Sequence, residues 1–243
     1  MNENYEIIII GHRGASKIAP ENTLLSFQKA IELGADCVEF DVYESKDGEI
    51  VIIHDEDTFR TTGQKGLIKN MTLEEIKALD AGNGQQIPTF QELIELTKGK
   101  ISLNCEIKAE EIAGKIIKIL REFSMIDSTI ISSFLHDELL KVQKIESSLR
   151  IASLEPTTGG GNIDWNRKKE MIQFVIDNDF YAINPIYPLV DQKFVNLAHD
   201  NNVKVFPWTV DSQMSMKKLI KMGVDGIITN DISKAKELLK RGD

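Results

Sequence analysis

Acidic, imidazole and cationic side chains fall at the ends of apolar runs in this sequence, where they can act together. The densest group lies between Cys37 and Asp55. Val38 to Val42 reads as a strand, so Glu39 and Asp41 share one face, about 7 Å apart, among apolar neighbours. Two like charges there require a cation, a shared proton or basic side chains. The chain then turns at Asp47-Gly48, a two-residue hairpin signal, and Ile50 to Ile53 returns to deliver His54 and Asp55. A further strand, Ile101 to Lys108, sends Glu106 toward the first two acids. Such an all-oxygen set suits one divalent cation, Mg²⁺ or Ca²⁺ with Mn²⁺ also compatible, rather than zinc. The competing explanation for Glu106 is an ion pair with Lys108, two residues on along the same face.

His12 ends another apolar run, and with His54 it makes a natural acid and base pair near neutral pH. Taken singly, each also fits a structural histidine. Arg13 and Lys108 place positive charge at the same rim, which suits an anionic group such as a phosphodiester or else balances the acids. Trp208 at a strand end is either packing or a platform for substrate. Ser133, Phe134, Glu155, Asn184, Asn230 and Asp231 complete the polar strand ends, while His136 and His199 have weaker positions.

The elements that must hold these groups alternate between short β-rich runs and helical patterns. Eight strand-helix units, with the hairpin counted in the second, predict an α/β fold: a (β/α)8 TIM barrel spanning residues 1–243 as a single domain. A small insertion after the second strand, about 44–88, carries a loop at Arg60 to Gly63 and is followed by regular units. Thr72 with Glu75, and Thr89 with Glu92, read as capping boxes at helix starts. Gly159 to Gly161 reads as a loop, and Lys204 to Trp208 as a strand. Gly34-Ala35-Asp36 and Gly223-Val224-Asp225 echo one another as helix stops feeding strands. An open doubly wound sheet would carry a Gly-rich phosphate loop after its first strand, and Gly11-His12-Arg13-Gly14 is not one.

Composition narrows the partners. A formal charge of −9 argues against nucleic acid, which needs a lysine and arginine surface. No run approaches the roughly 18 apolar residues of a membrane span, so no stable membrane insertion is expected. Met1 to Glu6 lack the basic start of a secretory signal, and the expectation is a cytoplasmic protein. Cys37 shares a face with Glu39 whereas Cys105 lies opposite Glu106, which predicts free thiols in a reducing compartment.

His12-Arg13-Gly14, Pro20-Glu21-Asn22-Thr23, Glu39-x-Asp41, His54-Asp55, Glu106-x-Lys108, Ser132-Ser133-Phe134, Trp208-Thr209-Val210 and Asp225-Gly226-Ile227 together resemble the glycerophosphodiester phosphodiesterase family. The match runs in order over nearly the whole chain. It implies a (β/α)8 barrel with an insertion after the second strand and a divalent cation on Glu39, Asp41 and Glu106. It further implies phosphate contacts from Arg13 and Lys108, and His12 and His54 as general acid and base. The implied reaction is hydrolysis of a small-molecule glycerophosphodiester to sn-glycerol 3-phosphate and an alcohol. Asp211 stands where asparagine is common in the family, and Phe206-Pro207 precedes Trp208; both bear on pocket shape. A lysophospholipase D, or a barrel that binds a phosphate ligand without turnover, are the alternative readings.

Overall fold

The computed structural model describes residues 7–157 and 163–240. Among the described residues, nine strands form one sheet: β1 (Ile8–His12), β2 (Cys37–Glu44), β3 (Ile50–Ile52), β4 (Ser102–Ile107), β5 (Thr129–Ser133), β6 (Arg150–Glu155), β7 (Ala182–Pro185), β8 (Lys204–Val205) and β9 (Gly226–Thr229). Their order is β8-β7-β6-β5-β4-β2-β1-β9, all parallel, with β3 lying antiparallel beside β2. The sequence places a longer strand at Lys204 to Trp208. The regular β7–β8 pairing stops after Val205 because Pro185 of β7 has no N–H to return to β8, although Phe206 and Trp208 N–H still donate to the Ile183 and Pro185 carbonyls at 3.0 Å. The barrel closes there through single bonds: Ile228 N–H donates to the Pro207 carbonyl at 3.0 Å and Val210 N–H to the Ile228 carbonyl at 2.9 Å.

Helices follow the strands: α1 (Leu24–Glu32), α2 (Phe59–Thr62), α3 (Leu73–Lys77), α4 (Phe90–Thr97), α5 (Ala113–Glu122), α6 (His136–Ile145), α7 (Trp165–Asp177), α8 (Gln192–His199), α9 (Gln213–Met222) and α10 (Ile232–Leu238). Strand parity divides the core. Ile10, Cys37, Ile130, Ala152, Ala182, Phe206 and Ile228 fill the barrel interior, and the larger cluster, with Phe27, Phe40 and Phe90, packs between strands and helices. Cys37 thus lies inside and Cys105 outside, and both thiols are free and buried.

The segment after β2 has a small core of its own, built from Val51, Ile53, Ile68, Ile76, Leu79, Ala81 and Ile87. Both capping boxes form, at Thr72 and Thr89. Two local expectations need correction. Glu44 pairs with Ile50, so the hairpin loop is five residues, 45–49, not two. Asp47 stays in the turn, which Gly48 N–H closes onto the Ser45 carbonyl at 3.0 Å, and its carboxylate accepts from Ser45 Oγ at 2.6 Å and from Leu73 N–H at the start of α3 at 3.0 Å. Arg60 to Thr62 is not loop but part of the one-turn helix α2. It is entered through Asp57, whose carboxylate accepts from Phe59 N–H at 2.8 Å, and stopped by Gly63 at φ 73°. Gly159 to Gly161 lie outside the described residues.

The echo between Gly34-Ala35-Asp36 and Gly223-Val224-Asp225 is structural. Both glycines have left-handed φ, 77° and 78°. Each aspartate returns a bond to the adjacent strand, Asp36 accepting from Ile9 N–H at 2.7 Å and Asp225 from Val205 N–H at 2.9 Å. These carboxylates tie the N-terminal end of the barrel and leave the opposite end to the site.

Candidate active site

β1, β2 and β4 are neighbours, which sets Glu39 and Asp41 of β2 beside Glu106 of β4 in register, Asp41 opposite Glu106. One oxygen from each lies within 4.8 Å of the others, and the residues are 4%, 1% and 8% exposed. Glu39 Oε1 and Asp41 Oδ1 are buried without a hydrogen-bond donor. Burial pushes the Glu39 carboxyl well above its ordinary value, and the Asp41 and Glu106 charges push it further. Glu106 is raised to about 7 by the same causes, burial first and then Asp41. A donor set of three buried carboxylates, two with an unused oxygen, fits a hard divalent cation.

Lys108 also forms the ion pair that the sequence offered as the competing explanation, Nζ to Glu106 Oε1 at 2.8 Å, with Asp41 Oδ1 at 3.5 Å. Burial works against its charge, but Glu106 and Asp41 outweigh it and hold the pKa above that of an ordinary lysine. One lysine does not discharge three acids. Arg13 is drawn two ways, its Nε 3.6 Å from Asp41 and its Nη1 donating to Glu21 at 2.9 Å. Its own N–H donates to Glu39 at 2.9 Å, in a turn where Gly14 is required: at φ 84° a Cβ would stand 2.5 Å from Ser26 Oγ.

The two imidazoles reach the same pocket from separate strand ends. His12 Nδ1 lies 2.8 Å from Asn230 Oδ1, and its Nε2 is 3.9 Å from Glu39. His54 Nδ1 lies 2.6 Å from Asp55, and its Nε2 is 3.4 Å from Lys108 Nζ. Burial lowers the pKa of both rings. Arg13 adds to this at His12, while at His54 the Asp41 charge opposes it. Trp208 lines the pocket, edge-on to Phe134 at 5.5 Å, and is fixed by Nε1–H donating to the Asn184 carbonyl at 2.8 Å.

All eight residues singled out from the sequence therefore converge at the C-terminal ends of the strands, and all but the deeper Asp41 line one pocket. Of the other strand-end residues, Phe134 and Asn184 line the same pocket, whereas Ser133, Glu155 and Asp231 turn away. Ser133 Oγ donates to the Ile107 carbonyl at 2.7 Å, and its neighbour Ser132 faces the pocket instead. Glu155 points outward, 3.5 Å from His136, while Leu154 lines the pocket, and Asp231 pairs with Lys17. His199 is held at the far end by Asp225, at 2.8 Å.

Sequence reasoning missed the supports. Asn22 Nδ2 donates to Asp41 at 2.9 Å, and Glu21 links Arg13 to Arg60 at 2.9 and 2.6 Å, while Arg60 also pairs with Asp55. Pro20-Glu21-Asn22-Thr23 stood in the sequence as part of the family resemblance; in the structure Thr23 also caps α1 by accepting from Ser26 N–H. Deeper in the pocket, Asn104 and Ser132, together with Asn184 that the sequence did place at a strand end, carry buried polar side-chain atoms without partners. Their signal was a polar residue on the inward parity of β4, β5 and β7. A site of this make-up can neutralise an anion, move protons on two sides of it and bind hydroxyl groups beneath it.

Comparison with known proteins agrees with this geometry. Residues 12–234 match the model of the glycerophosphoryl diester phosphodiesterase family. A glycerophosphodiester phosphodiesterase of Caldanaerobacter subterraneus subsp. tengcongensis is 41% identical over 97% of this chain and 98% of its own. One from Bacillus altitudinis is 32% identical over 91% and 94%. Among solved structures, an Oleispira antarctica phosphodiesterase in complex with its product sn-glycerol-3-phosphate superposes with a TM-score of 0.86 at 27% identity, covering 97% of this chain and 98% of that one. The Thermotoga maritima glycerophosphodiester phosphodiesterase gives 0.82 at 29%, covering 96% and 98%.

Proposed function

Given that the chain belongs to the glycerophosphoryl diester phosphodiesterase family, we propose that it hydrolyses glycerophosphodiesters to sn-glycerol 3-phosphate and an alcohol in a cation-dependent reaction at this pocket. The observation that carries the reading is the set of three buried carboxylates, two with an unused oxygen, flanked by Arg13, Lys108 and two imidazoles. Glu39, Asp41 and Glu106 would hold the ion, with Mg²⁺ or Ca²⁺ favoured by the all-oxygen donors and Mn²⁺ tolerated. When bound, it supplies Lewis acidity to the phosphate oxygens.

The chain's own groups do the rest. Arg13 and Lys108 hold the phosphate and offset the charge that grows on it as a nucleophile approaches. His12, whose Nδ1 partner is a neutral amide, stays uncharged and takes the proton of the attacking hydroxyl at Nε2. His54, whose Nδ1 faces the Asp55 carboxylate, gives a proton to the departing alcohol. The unpartnered groups of Asn104, Ser132 and Asn184 suit the hydroxyls of a glycerol end placed deep in the barrel, with Trp208 against the other side.

The decisive assay is release of sn-glycerol 3-phosphate from glycerophosphocholine by chelated protein, then after Mg²⁺, Ca²⁺ or Mn²⁺ is restored. Cation-restored turnover is expected. Turnover of lysophosphatidylcholine alone would reassign the substrate class, and binding without turnover under every cation would overturn the enzyme reading. Hydrolysis in labelled water, followed in time, separates direct attack from attack by the substrate's own hydroxyl through a cyclic phosphate.

A further inference from the structure

We propose that Asp211 is a positioning residue for His12. Acting through Asn230, it keeps the neutral His12 ring protonated on Nδ1 and leaves Nε2 as the atom that exchanges protons in the pocket. A chain of hydrogen bonds runs from Asp211 through Asn230 to His12, and only one direction along it is consistent. Asp211 is a carboxylate and can only accept. Its Oδ1 receives the Asn230 N–H at 2.9 Å and the Thr229 hydroxyl at 3.0 Å, which fix the group in place. Its Oδ2 lies 2.7 Å from the Asn230 amide, so the atom of Asn230 that faces it is the donor Nδ2.

The amide oxygen of Asn230 then faces the other way, toward His12 Nδ1 at 2.8 Å. An amide oxygen cannot donate, so the imidazole must, and the proton of a neutral ring sits on Nδ1. With the amide oriented by Asp211, the single hydroxyl proton of Ser16 lies between the His12 carbonyl at 2.8 Å and Asn230 Oδ1 at 2.6 Å, which is compatible with that orientation. Turning Asn230 over would set its oxygen against Asp211 Oδ2 and its NH₂ against His12 Nδ1. Nε2 is left with its lone pair on the side of Glu39 Oε2, 3.9 Å away. Asp211 touches neither the carboxylate cluster nor the pocket lining, so its effect on chemistry passes through Asn230.

The inference rests on the reading of His12 as a proton-transfer residue, but its first test does not. With four histidines in the chain, long-range proton-nitrogen correlation on histidine-labelled protein at about pH 8, assigned with His12→Gln, reports which ring nitrogen carries the proton. The wild type is expected to show Nδ1–H at His12. Asp211→Ala frees the amide and is expected to mix the tautomers, with kcat down about tenfold and KM within about twofold. Asp211→Lys puts a donor in its place and is expected to turn Asn230 over and move the proton to Nε2.

Nε2–H in the wild type would overturn the proposal. So would an unchanged tautomer in both the alanine and lysine variants, with thermal midpoint alone affected, which is the mark of a merely structural contact. If wild-type protein turns over no glycerophosphodiester with any cation, the functional reading fails, while the tautomer result still decides this one.

Discussion

At the N-terminal end of the barrel, Asp225 accepts from Val205 N–H, His199 Nε2 and Lys204 Nζ at 2.8 to 2.9 Å, and Asp36 accepts from Ile9 N–H at 2.7 Å. At the C-terminal end, Glu39 Oε1 and Asp41 Oδ1 are more deeply buried and accept no hydrogen bond. The same side-chain chemistry is spent differently at the two ends. Carboxylates that meet backbone N–H groups tie loops to strands, whereas carboxylates that meet one another hold a potential that only a cation, a proton or a substrate-binding cation such as Lys108 relieves. The structure thus concentrates its unfavourable electrostatics where chemistry is performed and keeps them away from where it is stabilised.

Breaking the comparison from the site side should give the largest effect. Glu39→Gln removes a cation ligand, and the expected loss of kcat/KM is about 10³-fold or more. Thermal stability should hold or rise, because a like charge leaves a buried cluster. A parallel fall in activity and melting temperature would show that the two ends are not separable. His54→Ala is expected to lower kcat by about 10² to 10⁴. Steady-state assays at saturating cation check this, and an unaltered rate would remove His54 from the mechanism.

Breaking it from the base should do the reverse. Asp225→Ala leaves the buried Val205 N–H without its side-chain acceptor, and the expected cost is about 1–3 kcal/mol in denaturant unfolding with kcat unaltered. Finally, pH sharpens the contrast by a smaller amount. In the cation-free protein Glu106 keeps its proton up to about 7, whereas the unfolded chain loses it near the ordinary 4.5. The folded state binds the extra proton between these values. This contribution to stability is therefore complete below about 4.5 and lost as pH rises through about 7. Melting curves of chelated wild type should fall across that window, and those of Glu106→Gln should fall less. Adding the cation should flatten the wild-type slope.

Much of this was legible in the chain because it is local. The period of two along β2 put Glu39 and Asp41 together and sent Cys37 inward, and the capping boxes at Thr72 and Thr89 needed only three residues each. Local rules failed where a distant group competed for the same side chain. Asp47-Gly48 read as a two-residue loop, but the loop runs over 45–49 with the Asp47 carboxylate accepting from Leu73 N–H; Ser133 read as a rim residue, but the Ile107 carbonyl turns it outward.

By itself, then, the sequence determined the alternation of strands and helices, the parity of each inward side chain and the identity of the groups able to carry chemistry, since each depends on spacing within a single element. Only the tertiary structure decided which partner each group meets. Asn230 reaches His12 across 218 residues, and Asn22 reaches Asp41 across 19, because β1 lies between β9 and β2 in the closed sheet. Hydrogen bonds are satisfied by whatever the fold brings within about 3 Å, and that proximity is a property of barrel closure rather than of any local stretch of chain.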